Sequence, residues 1–151
     1  MTTLPDYGAL FREAYAVLHG GRAGEEPVDA GQRRQGESLE EYLGRSRGEA
    51  LGRIERQLSA VEPPEALRRA HELLLRLLAD AVEADAALAA QVEAYRCGQF
   101  TDSVAHSDRL QALVSDSARL DRELIQSLRD IGPQLLAELG LEALPRPSPG
   151  P

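Results

Sequence analysis

A chain of 151 residues, 42% hydrophobic and 28% charged, is long enough to bury a core as one domain. Its net charge of −8 excludes nucleic acid as a general ligand, because phosphate binding needs a clustered cationic face. The one cysteine, Cys97, excludes an internal disulfide, and no window approaches the ~20 apolar residues that would cross a bilayer.

All 17 basic residues are Arg, as in a codon-biased, GC-rich genome. Aromatic residues are only 4%, so the core is expected to rest on 24 Leu and 22 Ala, both strong helix formers. The opening Met1-Thr2-Thr3-Leu4-Pro5-Asp6 lacks the basic and apolar regions of a signal peptide, so a cytoplasmic location is expected.

The first helix is predicted from about Pro5 to His19, capped by Thr3, with Asp6 well placed in its first turn. Tyr7, Phe11, Ala14 and Leu18 recur at helical spacing and make its apolar face. Gly20-Gly21 should end it. Residues 20–36 have no period and read as a flexible connection, either mobile or laid across the bundle.

Ser38-Leu39-Glu40-Glu41 matches a capping box and opens a second helix, which Pro63-Pro64 ends. Gly44, Gly48 and Gly52 fall on one face of it. In water each costs roughly 1 kcal/mol against Ala, so the spacing suggests close packing against a neighbouring backbone, with fraying as the alternative.

A third helix starts at Pro64 and runs to about Tyr95 or Arg96. Its seam reads Leu67, His71, Leu74, Leu78, Ala81, Asp85, Leu88, Val92, Tyr95, the heptad spacing of left-handed helix packing. After a short turn at Cys97-Gly98, Thr101 or Asp102 should cap a fourth helix with His106, Leu110, Leu113, Ser117, Leu120, Leu124, Leu128 and Ile131 on its seam. Gly132-Pro133 breaks it, and a short piece from Gln134 to Leu139 ends at Gly140. The segment 141–151 is Pro-rich and expected to be disordered. The prediction is an all-α, antiparallel bundle of about four helices over residues 1–140, dominated by the hairpin of the third and fourth helices, roughly Pro64 to Ile131.

No phosphate-binding Gly loop, Cys-x-x-Cys or His-Glu-x-x-His occurs. The residues three before His19, His71 and His106 are Ala16, Arg68 and Ser103, so the Glu-x-x-His pairs of di-iron bundles are missing. No catalytic residue, metal site or cofactor is expected. His71 and Asp85 stand out because they replace apolar residues on the seam, where an unpaired polar group costs about 1–3 kcal/mol. With the hairpin turning near residue 99, His71 should face Leu128 and Ser127, Asp85 should face Val114 and Ser117, and His106 should face Glu93. The first two are then register-setting polar pairs, or else a polar pocket around His71, Asp85 and Ser117. The third is a pH-responsive patch with Asp102, or a surface salt link.

The stretch Leu67-Arg68-Arg69-Ala70-His71-Glu72-Leu73 resembles the phospho-accepting helix of histidine phosphotransfer domains over about seven residues. That resemblance implies an exposed His followed by a Leu-Lys-Gly segment. Here Glu72-Leu73-Leu74-Leu75 follows and the chain has no Lys, so phosphotransfer is not carried over.

The third helix, roughly 32 residues and about 48 Å, is longer than the helices available to cover it. The distal tip should therefore expose Val92, Tyr95, Phe100, Val104 and Leu110, with His106 beside them. Patches of that kind mark interfaces. The sequence thus leads to a non-enzymatic interaction or structural protein, a dimer or one that docks a protein partner, without nucleic acid or membrane. A small-ligand site or enzyme at the polar pocket is the alternative.

Overall fold

The computed structural model describes residues 3–19 and 39–141, the side chains of 39–46 excepted. Among these there is no strand, and the chain folds as α1 (Leu4–Leu18), α2 (Leu39–Ser59), α3 (Arg68–Arg96), α4 (Phe100–Arg129) and α5 (Pro133–Leu139). The expected 20–36 connection, the Ser38 capping box and the tail lie outside the described residues.

Local chemistry explains most of the boundaries. The Thr3 hydroxyl accepts from the Asp6 N–H at 3.2 Å and caps α1. Pro63-Pro64 separates α2 from a 3-10 turn, Glu65–Leu67, so the α-helical part of α3 begins at Arg68 and not at Pro64. Gly98, at φ +75°, closes α3 with paired bonds: its N–H reaches the Tyr95 carbonyl and the Gln99 N–H reaches the Ala94 carbonyl. Gly140, at φ +70°, closes α5 in the same way. Neither Thr101 nor Asp102 caps α4: the helix starts earlier, at Phe100, and its N-cap Gln99 makes no side-chain bond.

The core lies at the open end of the hairpin, away from the Gly98 turn, where α1 and α2 cover α3. Leu51, Ile54 and Leu58 from α2 meet Leu74 and Leu78 from α3, with Leu120 and Leu124 from α4. Leucine dominates, yet the sparse aromatics are not marginal. Tyr7, Phe11 and Tyr15, one per turn of α1, are all buried. α5 turns back after Gly132-Pro133 and packs on α1, burying Leu139 and Leu141. That places the first helix between α2, α3 and α5.

α4 packs almost entirely on α3. The register differs from the expected one by a few residues, because the turn centres on Gly98. Gln91 lies opposite Ser103, whose hydroxyl donates to the Gln91 carbonyl at 3.3 Å. Glu83 pairs with Arg109 at 2.6 Å and Arg69 with Glu123 at 3.4 Å. Beyond Leu78 the two helices meet through Ala87, Ala94, Ser103 and Leu113, the buried residues of this half. The seam predicted at Leu88, Val92 and Tyr95 is therefore not the α3–α4 contact. Those residues continue the Leu74–Leu78–Ala81 stripe that faces α1 and α2, at spacings of three and four.

The glycine stripe of α2 is not a close crossing. A Cβ at Gly48 would meet nothing within 4 Å, and one at Gly52 only the Arg56 guanidinium at 3.5 Å. Gly44 lies outside the described side chains. Gly48 thus weakens an exposed helix with no packing in return, and Gly48→Ala is expected to stabilise the fold by about 0.5–1 kcal/mol. A thermal melt showing no gain would count against an open face at this position.

Candidate functional site

Three places gather chemistry that simple packing does not require. The first is the distal hairpin tip. Past the end of the main core, α3 presents Leu88, Val92 and Tyr95 and α4 presents Phe100 and Val104, all exposed. Tyr95 and Phe100 are 67% and 59% exposed, yet their rings meet edge to face with centroids 5.5 Å apart. The two helices separate here by little more than alanine side chains, which leaves the large residues pointing outward. Leu110 and His106 are half-buried. Glu93, expected to face His106, accepts from the Cys97 thiol at 3.5 Å and lies 3.9 Å from Arg96. The Glu93 hydrogen bond and charge hold the Cys97 thiol above its usual range, which makes it a poor nucleophile despite full exposure.

The second is His71. It is 6% exposed and lies under α1, where the Tyr7 hydroxyl meets its Nδ1 at 2.8 Å and the rings stack at 5.8 Å. Its partner is Tyr7, not Ser127 or Leu128, because α1 covers that face of α3. Burial lowers the His71 pKa, with Glu72 opposing, which favours the neutral ring in its hydrogen bond with the Tyr7 hydroxyl. Burial likewise raises the Tyr7 hydroxyl well above its usual value. A histidine so enclosed is a structural bond and has no face open to a phosphoryl donor.

The third is a cleft of about 340 Å³ at the C-terminal end of α1. Leu18 and His19 close one side and Arg47 of α2 another. Leu77, Ala81, Ala84 and Asp85 come from α3, and Val114, Ser117, Ala118 and Asp121 from α4. Asp85, Val114 and Ser117 therefore do share a site, while His71 is not among its lining residues. His19 Nε2 lies 3.3 Å from Asp121 Oδ1, and the His19 ring packs on Tyr15 with centroids 4.3 Å apart. Burial, with the Asp121 charge adding to it, pushes the Tyr15 hydroxyl up to about 12. Sequence reasoning missed His19, Arg47 and Asp121 here, since nothing in the periodicity of α3 and α4 says where α1 ends.

Asp80 was also missed. Its Oδ2 is buried without a hydrogen-bond partner, and its carboxyl faces that of Asp116 across the α3–α4 seam. Burial, the Asp116 hydrogen bond and the nearby negative charges push it up to about 6.

Among the described residues, no group of three or more His, Cys, Asp or Glu side chains converges as a metal site, and no helix is long and apolar enough to cross a membrane. Comparison with family models, characterised proteins and solved structures found no match.

Proposed function

We propose that the protein is a non-enzymatic interaction module of the cytoplasm that self-associates through the distal half of the α3–α4 hairpin. The observation that carries this reading is the run of exposed Leu88, Val92, Tyr95, Phe100 and Val104 at the end of a helix pair whose other end is properly covered. Together they leave on the order of 500 Å² of apolar side chain in water, near the upper limit for ordinary monomers. One side of a standard interface takes about 800 Å².

A second copy is the occupant that fits. The tip is half of a four-helix section, two helices with one face unpartnered, and the same two helices from another chain would complete it. Such a contact is isologous and closes as a dimer. The acidic chain would repel itself, but flanking charges are partly neutralised within each hairpin, Glu83 by Arg109 and Glu93 by Arg96.

Sedimentation velocity tests this. The wild-type chain is expected to run as a dimer at micromolar concentration, and Tyr95→Arg and Val92→Arg as monomers with unchanged helicity. Because both side chains are exposed, their loss removes no core contact. A wild-type monomer at high concentration, or a dimer indifferent to both substitutions, would sink the reading.

A further inference from the structure

The cleft at the end of α1 and the apolar tip lie on one face of the hairpin, joined by two heptad rows. On α3 the row Ala81, Leu88, Tyr95 runs from the cleft to the tip. On α4 the row Val114, Ser107, Phe100 does the same. Val114 is 57% exposed although it lies at the cleft and not at the tip.

Both rows share a centre. Leu88 and Ser107 stand within a turn of the same level, since Gln91 lies opposite Ser103 and Glu83 opposite Arg109. One heptad to either side of that level, a large residue at the tip is matched by a smaller one at the cleft. Tyr95 is matched with Ala81 and Phe100 with Val114. Val92 and Ala84, four residues to either side of Leu88, repeat the pattern. The uncovered length is symmetric as well. Gly98 stands ten residues beyond Leu88, and Leu78, the last leucine of α3 in the core, stands ten before it.

Resting on the self-association reading, we infer that the second copy lies antiparallel, its twofold axis near Leu88 and Ser107, and that its Tyr95–Phe100 pair fills the cleft. α3 then packs on α3 and α4 on α4. Each tip ends where α1 and α2 of the other chain begin. The Tyr95 ring lands on Leu77, Ala81 and Ala84, with the Asp85 carboxylate and the Ser117 hydroxyl as acceptors for its phenol. Arg47 on the cleft rim comes level with Glu93 of the second copy, opposite in charge. The tip alone falls short of the ~800 Å² that one side of a standard interface takes, and the cleft extends the same face through Val114 and Ala118.

Oxidative cross-linking of single-cysteine chains tests the arrangement. In a Cys97→Ser background, Leu88→Cys and Ser107→Cys are each expected to give disulfide-linked dimers with copper phenanthroline, because each residue meets its own copy at the axis. Tyr95→Cys should not link to itself, since its mate stands level with Ala81, about 21 Å away along the helix. Mixed with Ala81→Cys it should link. Val114→Arg should run as a monomer in sedimentation, although it lies outside the tip. A dimer in which Tyr95→Cys links to itself, or Leu88→Cys links only to Ser107→Cys, has its tips side by side. That result, or a dimer indifferent to Val114→Arg, would overturn the antiparallel arrangement and leave self-association standing. A wild-type monomer would overturn both.

Discussion

Gly8→Ala is expected to destabilise the fold by about 2–4 kcal/mol, although the same change in an exposed helix would stabilise it. A Cβ at Gly8 would overlap the Leu139 carbonyl oxygen and stand 2.7 Å from its carbon and 3.0 Å from the Leu139 Cα. All three are backbone atoms, so no rotamer change relieves the overlap. α5 must move off α1, and Leu139 and Leu141, which are buried by that contact, become exposed. Exposing a leucine side chain costs about 1.5–3 kcal/mol, and the better helix propensity of Ala returns about 1 kcal/mol of the sum. For a chain of this size, each kcal/mol lowers the melting temperature by roughly 2–4 °C. Gly48→Ala is the internal control, with the same chemical change and the opposite sign. Equal gains from both would mean that α5 does not seat on Gly8.

This pair of glycines shows where sequence reading succeeds and where it stops. The long hairpin was legible because heptad spacing and the Pro64, Gly98 and Gly132-Pro133 signals are local properties of the chain. The regular four-residue spacing of Gly44, Gly48 and Gly52 looked like a helix crossing, yet Gly48 faces open space and Gly52 only the Arg56 guanidinium. The glycine that does make a crossing, Gly8, stands alone, and only the return of α5 gives it a purpose.

The same limit explains the seam. A stripe at Leu74, Leu78, Ala81, Asp85, Leu88, Val92 and Tyr95 is real, but periodicity does not say which neighbour it faces. Its first half faces α1 and α2 and its second half faces nothing described, while α4 meets an adjacent row that includes Ala87 and Ala94. Asp80 belongs to the α4 side and was overlooked for that reason. The exposed tip was anticipated from helix lengths alone, since four of its residues needed only the absence of a cover. His71 was recognised as a buried polar group in need of a partner. That the partner is Tyr7 depends on where α1 docks, beyond a connection with no period to read.

Asp80→Asn is expected to stabilise the protein at about pH 7.5, by about 1 kcal/mol, and to steepen its loss of stability in acid. Asp80 has its pKa raised from 3.8 to about 6, chiefly by burial, then by the hydrogen bond and charge of Asp116 and by Glu83, with Arg76 opposing. A raised folded value means a contribution fully present below 3.8 and lost as pH rises through about 6. Asp116 moves the other way: the Asp80 proton and the Arg119 guanidinium, 2.6 Å away, hold it low, so its contribution is present above the ordinary carboxylate value and lost in stronger acid. One proton is thus shared across the seam in mild acid and missing at neutrality. An Asn amide supplies that donor at every pH.

His71 has the reverse sign to Asp80. Its folded pKa lies below 6.5 because the ring is buried, so the unfolded chain takes up the proton first and stability falls as pH drops below 6.5. In the wild-type chain the Asp80 gain offsets the His71 loss over the same window, and the profile should be shallow. Asp80→Asn removes the gain and leaves the loss, so denaturant titrations at a series of pH values should diverge most at neutrality and converge in acid. Parallel profiles for the two proteins, or a less stable variant at neutral pH, would show that the Asp80 and Asp116 carboxyls do not share a proton.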